Sequence, residues 1–306
     1  MPEAYDLIII GGGPAGLTAG IYAGRGALQT LLIEKLCTGG QIALTDMLEN
    51  YPGFSEVAGM ELTRLMEEQA KRFGLNIVNE EVVKVTDNGG EKVVKTTEGS
   101  HTAKSVIIAS GTRQRRLGVR GEDNLIGKGV SFCAVCDGRF FQGKNVCVVG
   151  GGDSAIKEAL YLSKLVKKIY VIHRRDRLRA EKIVQKKALS NSKLDFIWDS
   201  VIEEIIGQNK VESVVLKNLK SDKRTKLDVD AVFVYVGNDP NTSFVDVRKD
   251  ENGFIMTDEN LETSIRGIFA AGDCRAKPFR QVATAVGDGA LAAFLAQKYI
   301  EESKVG

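Results

Sequence analysis

The sequence predicts an α/β protein with two doubly wound parallel sheets, because two glycine-rich turns each follow a short apolar run and precede a helix-forming segment. The first turn spans residues 11–16 and the second spans residues 150–155. A length of 306 residues is large for a single hydrophobic core, which favours two domains. The net charge of +2 is too small to indicate a nucleic acid or a membrane surface as the partner.

The first copy of this pattern starts almost at once. Residues 5–10 are a continuous apolar run, which is typical of a strand buried on both faces. We expect a helix of small residues from Ala15 to about Gly26, and then a strand over residues 30–34 that ends in Glu34. The elements predicted next are a helix over residues 61–73, a meander over residues 77–97 with its turn at 87–90, and a buried strand over residues 105–109.

The same order of elements then repeats, which indicates a second domain of the same kind. The predicted elements are a strand over residues 145–149, a helix from the turn to about Leu165, a strand over 168–173, a meander over 200–218 and a buried strand over 231–236. A glycine-containing segment over residues 253–273 and a long helix over residues 281–300 follow.

The first glycine-rich turn matches the requirements of dinucleotide binding. Gly11 permits a tight turn, Gly13 lets the backbone approach a pyrophosphate, and Gly16 allows the helix to pack closely on the strand. Glu34 stands where an acid binds ribose hydroxyls. A glycine-rich turn without a ligand is the alternative, and the complete set of strand, helix and acid weighs against it.

The second turn differs at the ribose position. Glu34 lies 23 residues after Gly11 (34 − 11), and the residue at the same distance from Gly150 is His173, followed by Arg174 and Arg175. Cations at this position suit a 2′-phosphate. The sequence therefore predicts two Rossmann-like dinucleotide-binding domains, the first for the adenosine of FAD and the second for NADPH. A solvated basic face at a strand end is the alternative for the arginines.

Cys133 and Cys136 form a Cys-x-x-Cys pair between the two turns. Zinc would need four ligands, and the chain has neither a second such pair nor paired histidines. A structural disulfide is disfavoured in a reducing compartment, so a redox disulfide is the favoured interpretation. A helix start near Cys133 would lower a thiol pKa, and Asp137 could supply or take the proton. The alternative for Asp137 is a capping or turn role with Gly138.

The remaining features suggest a cytoplasmic location. No segment reaches the roughly 20 apolar residues that span a bilayer, and the first residues lack the pattern of a signal peptide. Five cysteines in a chain of this length do not make a disulfide framework. Cys147 lies in a predicted buried strand and is expected to be inert, and we assign no chemistry to Cys37 and Cys274.

These motifs together resemble the low-molecular-weight thioredoxin reductases over the whole chain. The matching segments are residues 11–16, 39–41, 49–53, 133–138, 150–155, 173–175, 179–182, 271–273 and 280–281. The resemblance implies that the NADPH domain is inserted into the FAD domain, with residues 1–113 and 244–306 in the FAD domain and residues 114–243 in the NADPH domain. Two consecutive domains are the alternative. The resemblance also implies a homodimer with thioredoxin as the electron acceptor.

The resemblance assigns roles to single residues. Cys136 would face the flavin and Cys133 would attack the partner disulfide, with Asp137 as the third catalytic candidate. Asp273 would contact the ribityl chain. The candidate cofactor-binding residues are Gly11, Gly13, Pro14, Ala15, Gly16, Glu34, Gly40, Gln41, Asn50, Gly111, Gly150, Gly152, Asp153, Ser154, His173, Arg174, Arg175, Arg179, Gly272, Asp273, Arg280, Gln281 and Val282. The chain departs from the family at Lys157, where an acid is usual.

The resulting hypothesis is an NADPH-dependent reduction of thioredoxin disulfide through FAD and the Cys133–Cys136 pair. It includes a rotation of the inserted domain about residues 112–123 and 237–241, because both the dithiol and the nicotinamide must reach the flavin. The alternatives are the same relay serving another disulfide carrier, a donor other than NADPH, and a flavin-binding redox sensor without turnover.

Overall fold

A computed structural model describes residues 4–45 and 47–303. Strands and helices alternate along most of the described chain. In chain order they are β1 (Ala4–Ile10), α1 (Pro14–Arg25), β2 (Thr30–Glu34), α2 (Gly59–Arg72), β3 (Asn76–Asn79), β4 (Val82–Asp87), β5 (Lys92–Thr96), β6 (Ser100–Ile108), β7 (Thr112–Gln114), α3 (Glu122–Leu125), β8 (Val130–Ser131), α4 (Ala134–Asp137), β9 (Asn145–Val149), α5 (Asp153–Leu162), β10 (Lys168–Ile172), α6 (Lys182–Leu189), β11 (Leu194–Ile197), β12 (Ser200–Ile206), β13 (Ser213–Asn218), β14 (Arg224–Asp228), β15 (Ala231–Val234), β16 (Asn238–Pro240), β17 (Ile268–Ala270) and α7 (Val282–Glu302).

The chain forms two compact units. The first unit combines the described residues up to Arg113 with those from Asp239 onward, and the second unit is Gln114–Asn238. The second unit is therefore inserted into the first. The chain leaves the first unit within β7 and returns within β16. The return lies at Asp239, whereas the sequence led us to expect it at residue 244.

The first unit is built on a seven-stranded sheet. Its strand order is β3-β2-β1-β6-β5-β4, and β17 also pairs with β6. β1 pairs in parallel with β2 and β6, and β17 continues the parallel part beside β6. The predicted meander over residues 77–97 is correct only in part, because β3 pairs in parallel with β2. The antiparallel strands are β4, β5 and the first residues of β6.

Alternation along β1 divides the hydrophobic residues of this unit between two faces of the sheet. Leu7 and Ile9 belong to a cluster that includes apolar residues of α1, α2 and α7. Ile8 and Ile10 belong to a second cluster on the other face, with residues of β4, β5 and the segment 245–255. Both faces of the parallel strands are thus covered, which explains the continuous apolar run in the sequence.

The second unit has a five-stranded parallel sheet and a smaller antiparallel sheet. The parallel order is β11-β10-β9-β15-β8, and β12-β13-β14 form the antiparallel sheet. Val146 and Val148 of β9 pack with α5 and α6, whereas Cys147 and Val149 pack with the antiparallel sheet. The predicted meander over residues 200–218 omitted β14, and the sequence did not lead us to expect α6 or β11.

Two sheets with parallel strands and helical crossovers confirm the predicted α/β class with two Rossmann-type units. Among the helices of residues 4–45 and 47–303, none has the length and apolar character needed to cross a membrane.

Candidate functional site: two glycine-rich turns and a dithiol

The first glycine-rich turn lies at the carboxyl end of β1. Because β1, β2, β6 and β17 run in parallel, the segments that follow them meet at one edge of the first sheet. This edge gathers the turn after β1, the segment after Glu34, Gly111 after β6 and the turn after β17. Ligands of open α/β sheets bind at such an edge.

The backbone of the first turn is close-packed on one side and open on the other. Gly11 has φ of +108°, and a Cβ atom there would lie 2.4 Å from the carbonyl oxygen of Ala109. A Cβ on Gly16 would lie 1.9 Å from the carbonyl oxygen of Gly11. A Cβ on Gly13 would meet nothing within 4 Å. The turn therefore offers an open face at Gly13, the residue that caps α1.

Glu34 is held against this turn. One carboxylate oxygen of Glu34 accepts a hydrogen bond from the amide of Gly12 at 2.7 Å, and the other accepts from the amide of Leu36 at 3.1 Å. The amide of Gly39 donates to the carbonyl of Gly12 at 2.8 Å, so the following segment also lies on the turn. A Cβ on Gly40 would lie 3.4 Å from the Cα of Gly13.

The turn after β17 brings a half-buried carboxylate to the same region. A Cβ on Gly272 would lie 2.9 Å from the Cβ of Ala15 on α1. Asp273 follows, and its Oδ1 atom is buried without a hydrogen-bond partner among the described residues. The nearest cation, Lys277, has its Nζ atom 3.7 Å from this oxygen. Burial raises the pKa of Asp273. Its buried Oδ1 atom is an acceptor available to a hydroxyl donor such as a ribityl chain.

Polar side chains tie the remaining candidates of the first unit together. Gln41 donates through Nε2 to Thr112 Oγ1 at 2.9 Å, and Asn50 donates through Nδ2 to Gln281 Oε1 at 3.1 Å. Gln281 caps α7, whose first helical residue is Val282. Arg280 donates to the carbonyl of Asp273 at 3.3 Å.

The first unit therefore fits FAD by three observations: an open glycine turn at a helix start, an acid bonded to that turn, and a nearby carboxylate with one buried oxygen that accepts no hydrogen bond from the described residues. The structure brings to this edge the candidates Gly11, Gly13, Pro14, Ala15, Gly16, Glu34, Gly40, Gly111, Gly272 and Asp273.

The second turn has the same design within the second unit. Gly150 has φ of +142°, and a Cβ there would lie 2.4 Å from the carbonyl oxygen of Tyr235. Gly152 caps α5, and a Cβ on it would meet nothing within 4 Å. The segment before α6 is hydrogen-bonded to this turn. The amide of Arg179 donates to the carbonyl of Gly151 at 2.7 Å, and Asp153 accepts from the amide of Glu181 at 2.8 Å.

The basic residues near the second turn divide into two kinds. Arg174, Arg175 and Arg179 are exposed and form no ion pair with any residue that the structure describes. His173 is only 4% exposed, and its ring would be 2.6 Å from a Cβ on Gly151. Burial, followed by the nearby arginine charges, lowers the pKa of His173. The arginines thus supply the positive charge suited to a 2′-phosphate, while His173 is a neutral ring under the turn.

The two thiols predicted to react are joined. Cys133 and Cys136 form a disulfide with a Cα–Cα distance of 5.4 Å. Cys133 caps α4, and its sulfur accepts from the amide of Cys136 at 3.1 Å. Cys136 is exposed and Cys133 is half-buried. A disulfide at a helix start is suited to thiol exchange. The more exposed residue of the pair is Cys136, whereas the resemblance assigns the attack on a partner disulfide to Cys133.

Asp137 closes the same turn. Its Oδ2 atom accepts from the hydroxyl of Ser131 at 2.7 Å. The amide of Cys133 in turn donates to the Ser131 oxygen at 3.1 Å. The Asp137 carboxylate is therefore held close to the turn that carries Cys133. This position is compatible with the predicted proton transfer and with the alternative capping role.

Sequence reasoning did not identify some polar residues at these sites. Arg177 is exposed beside the other arginines, and the basic run in the sequence was a sufficient signal for it. Asp288 accepts from the amide of Gly272 and from Arg275 and Lys277, each at 3.0 Å, but its place on α7 gave no such indication. Tyr235 accepts from the amide of Ala134 at 2.9 Å, which depends on a contact distant in sequence.

The other three cysteines are free. Cys147 and Cys274 are buried, and burial raises the pKa of both thiols, that of Cys274 to about 11. Cys37 is exposed. The prediction that Cys147 is an inert core residue agrees with its position in β9.

The comparisons with known proteins agree over nearly the whole chain. Residues 5–289 match the family model described as pyridine nucleotide-disulphide oxidoreductase. A thioredoxin reductase of Listeria innocua is 48% identical over 99% of this chain and 96% of its own length. One of Bacillus subtilis is 46% identical over 98% of this chain and 96% of its own length.

The fold of the chain is also similar to that of a solved thioredoxin reductase structure. The thioredoxin reductase of Lactococcus lactis matches with a TM-score of 0.96 at 45% identity, covering 97% of this chain and 99% of its own. The chain is therefore an oxidoreductase that uses FAD and NADPH, and it belongs to the pyridine nucleotide-disulphide oxidoreductase family, among its low-molecular-weight thioredoxin reductases.

Proposed function

We propose that the chain reduces the disulfide of a thioredoxin with electrons from NADPH, through the Cys133–Cys136 pair. The observation that carries this proposal is the disulfide at the start of α4, in the same unit as a glycine turn flanked by unpaired arginines. When bound, NADPH supplies a hydride and FAD passes the electron pair on to a disulfide.

Each unit would hold one cofactor. In the first unit, the open turn at Gly13 would receive the pyrophosphate, Glu34 the ribose, and Asp273 the ribityl chain. In the second unit, the turn at Gly152 would receive the pyrophosphate. Its exposed arginines would bind the 2′-phosphate by charge-assisted hydrogen bonds.

Thiol exchange then uses the chain's own sulfurs. In the reduced enzyme, the thiolate of Cys133 attacks the partner disulfide, forms a mixed disulfide and releases one partner thiolate. The sulfur of Cys136 then displaces the second partner thiolate, and the Cys133–Cys136 disulfide forms again. Asp137 would take up or supply the proton of the displaced thiol.

The surface beside the dithiol favours a protein as the acceptor. Phe140 lies four residues after Cys136 and is 77% exposed. An exposed aromatic side chain close in sequence to a reactive disulfide is typical of a protein contact surface. A thioredoxin or a thioredoxin-like protein therefore fits this position.

Rotation of the second unit is part of the proposal. The dithiol and the second turn share one unit, whereas the proposed FAD residues lie in the other. Dithiol and nicotinamide must each approach the flavin in turn, so we expect a hinge at the two chain crossings near β7 and β16. A covalent link that blocks this rotation should stop NADPH-driven turnover.

A homodimer in the cytoplasm completes the proposal. The helices α1, α2 and α7 cover one face of the first sheet. Their outer surfaces expose Tyr22, Leu65, Leu291 and Phe294 at 49%, 37%, 42% and 60%. Large apolar side chains on one helical layer support contact with a second copy. Sedimentation of the wild type against a Leu291→Glu/Phe294→Glu variant tests this, since the variant should be a monomer.

The experiment that tests the function is NADPH oxidation in the presence of thioredoxin. We expect turnover with thioredoxin and none with Cys133→Ser or Cys136→Ser. Cys136→Ser should trap thioredoxin on Cys133 as a mixed disulfide. Turnover with another disulfide carrier alone would identify the rival acceptor. Flavin content without any turnover would support a redox sensor.

A further inference from the structure

Tyr235 contacts both the second glycine turn and the dithiol turn. Its amide donates to the carbonyl of Val149 at 2.8 Å at the end of β15. Its carbonyl oxygen is the atom that a Cβ on Gly150 would approach to 2.4 Å. Its hydroxyl accepts from the amide of Ala134 at 2.9 Å. One residue thus joins the nucleotide-binding end of the second sheet to the turn that carries the redox disulfide.

The bond to Ala134 has a specific role in α4. Ala134 is the first helical residue after Cys133, and such an amide has no acceptor within the helix. Ala134 is fully buried, so this amide has no access to water. The Tyr235 hydroxyl satisfies it and fixes the direction of the following amides. One of these, the amide of Cys136, points at the sulfur of Cys133.

The hydroxyl is a neutral group in this position. Burial raises the pKa of Tyr235, and the carboxylates of Glu158 and Asp137 raise it further. The phenol therefore keeps its hydrogen, and its oxygen accepts from the Ala134 amide without adding a negative charge beside the dithiol turn.

We propose that Tyr235 is a positioning residue for the dithiol, which holds α4 through the Ala134 amide and thereby favours the thiolate form of Cys133. This proposal rests on the proposed function of the Cys133–Cys136 pair. It concerns the reactivity of one thiol, which can be measured without NADPH or thioredoxin. A failure here is therefore distinguishable from a failure of the proposed function.

The competing explanation is packing alone. Tyr235 lies against the same hydrophobic cluster as Phe233, the residue two positions earlier on β15. If packing were its only role, the hydroxyl would be dispensable. Tyr235→Phe removes the hydroxyl and keeps the ring, so it separates the two explanations.

The test measures alkylation of Cys133 as a function of pH in the FAD-loaded enzyme. A Cys37→Ser/Cys136→Ser background leaves Cys133 as the reactive thiol, since Cys147 and Cys274 are buried. With Tyr235→Phe in this background we expect roughly fivefold slower alkylation at pH 7, the effect of losing one hydrogen bond. The midpoint of the pH profile should move up by about 0.7 unit.

One matched variant sharpens the test. Tyr170→Phe removes a hydroxyl from β10 on the opposite face of the sheet and should leave the profile unchanged.

Unchanged thermal unfolding and flavin content would show that the variants are folded. An unshifted profile in Tyr235→Phe would overturn the proposal. An equal slowing at every pH would also overturn it, because it would indicate altered access to Cys133 instead of a change in its pKa. A shift in Tyr170→Phe of the same size would do so as well.

Discussion

The two glycine-rich turns share a backbone design and differ in the side chain that lies against it. Each turn follows a parallel strand and caps a helix with a glycine whose missing Cβ leaves open space, Gly13 in one and Gly152 in the other. Each begins with a glycine of positive φ, packed against the backbone of a neighbouring strand end. The backbone geometry that we propose for pyrophosphate binding is thus common to both turns.

The difference lies under the middle glycine of each turn. A Cβ on Gly12 would lie 3.3 Å from the side chain of Glu34, and a Cβ on Gly151 would lie 2.6 Å from the ring of His173. Both side chains come 22 residues after their glycine (34 − 12 and 173 − 151). Glu34 brings a carboxylate to the turn, whereas His173 brings a neutral ring and leaves the charge to the exposed arginines beyond it.

The comparison teaches that the turn and the nucleotide preference are separable. The glycines fix the approach of the backbone, and the end of the following strand decides between ribose hydroxyls and a phosphate. The third glycine position shows a further difference, because Gly16 of the first turn corresponds to Ala155 of the second.

The largest expected effect is at this third position. Gly16→Ala would place a methyl group 1.9 Å from a backbone oxygen, which cannot move aside as a flexible side chain can. We expect a loss of about 3 kcal/mol in stability of the first unit. Flavin content after purification and the thermal midpoint measure it.

The matched control is the reverse exchange in the second turn. Ala155→Gly creates no clash and should cost only about 1–2 kcal/mol, from helix propensity and the loss of one buried methyl group. Equal destabilisation by the two exchanges would contradict the packing difference between the turns.

The next effect concerns nucleotide choice. Replacing Arg174 and Arg175 together by glutamine removes charge-assisted hydrogen bonds of about 1.5–3 kcal/mol each, which are not fully additive. We expect the preference for NADPH over NADH, measured as the ratio of kcat/KM values, to fall by at least roughly tenfold.

Lys186→Gln serves as the control for this pair of substitutions. It removes one exposed charge from the last turn of α6, outside the basic run at residues 174–179. The ratio of kcat/KM for NADPH to that for NADH should stay near the wild-type value in Lys186→Gln. An unchanged ratio in the double variant would refute the phosphate assignment of the arginines.

Much of the fold could be predicted from the sequence because the apolar runs and the turn residues between them coincide with the buried strands of the structure. The strands Thr30–Glu34 and Asn145–Val149 have the predicted bounds, since apolar runs between turn residues define them. β3 was assigned to the meander because its two apolar residues, Ile77 and Val78, come just before β4 in the sequence. Its pairing with β2 depends instead on the helix α2 that precedes it. No local pattern in a strand specifies its partner.

The site was predictable where one residue type is required. Backbone geometry requires the glycines of the turns, and redox chemistry requires the Cys-x-x-Cys pair. It was not predictable where two distant segments meet. The bond from the amide of Ala134 to Tyr235 joins residues 101 positions apart, and nothing local to either marks it. The basic run at residues 173–175 also contains two kinds of residue that the sequence does not distinguish. In the structure His173 is buried, whereas Arg174 and Arg175 are exposed to solvent.

The smallest expected effect follows from that buried histidine. The pKa of His173 is lowered from 6.5 by burial and then by the surrounding arginines. As pH falls through 6.5, the unfolded chain takes up a proton at this imidazole and the folded chain does not, so protons favour the unfolded state. The contribution of the neutral ring to stability is therefore complete above pH 6.5 and is lost as pH falls toward the lowered pKa.

His173→Gln keeps a polar side chain and removes this titration. We expect the wild type to lose more stability than His173→Gln between pH 7.5 and pH 5.5, by up to about 1.4 kcal/mol per pH unit between the two pKa values. Thermal midpoints of both proteins at the two pH values measure the difference. The carboxylates are common to both proteins, so their titration cancels in the comparison. If the wild type and His173→Gln differed by the same amount at both pH values, the ring would not be held neutral beneath the second turn.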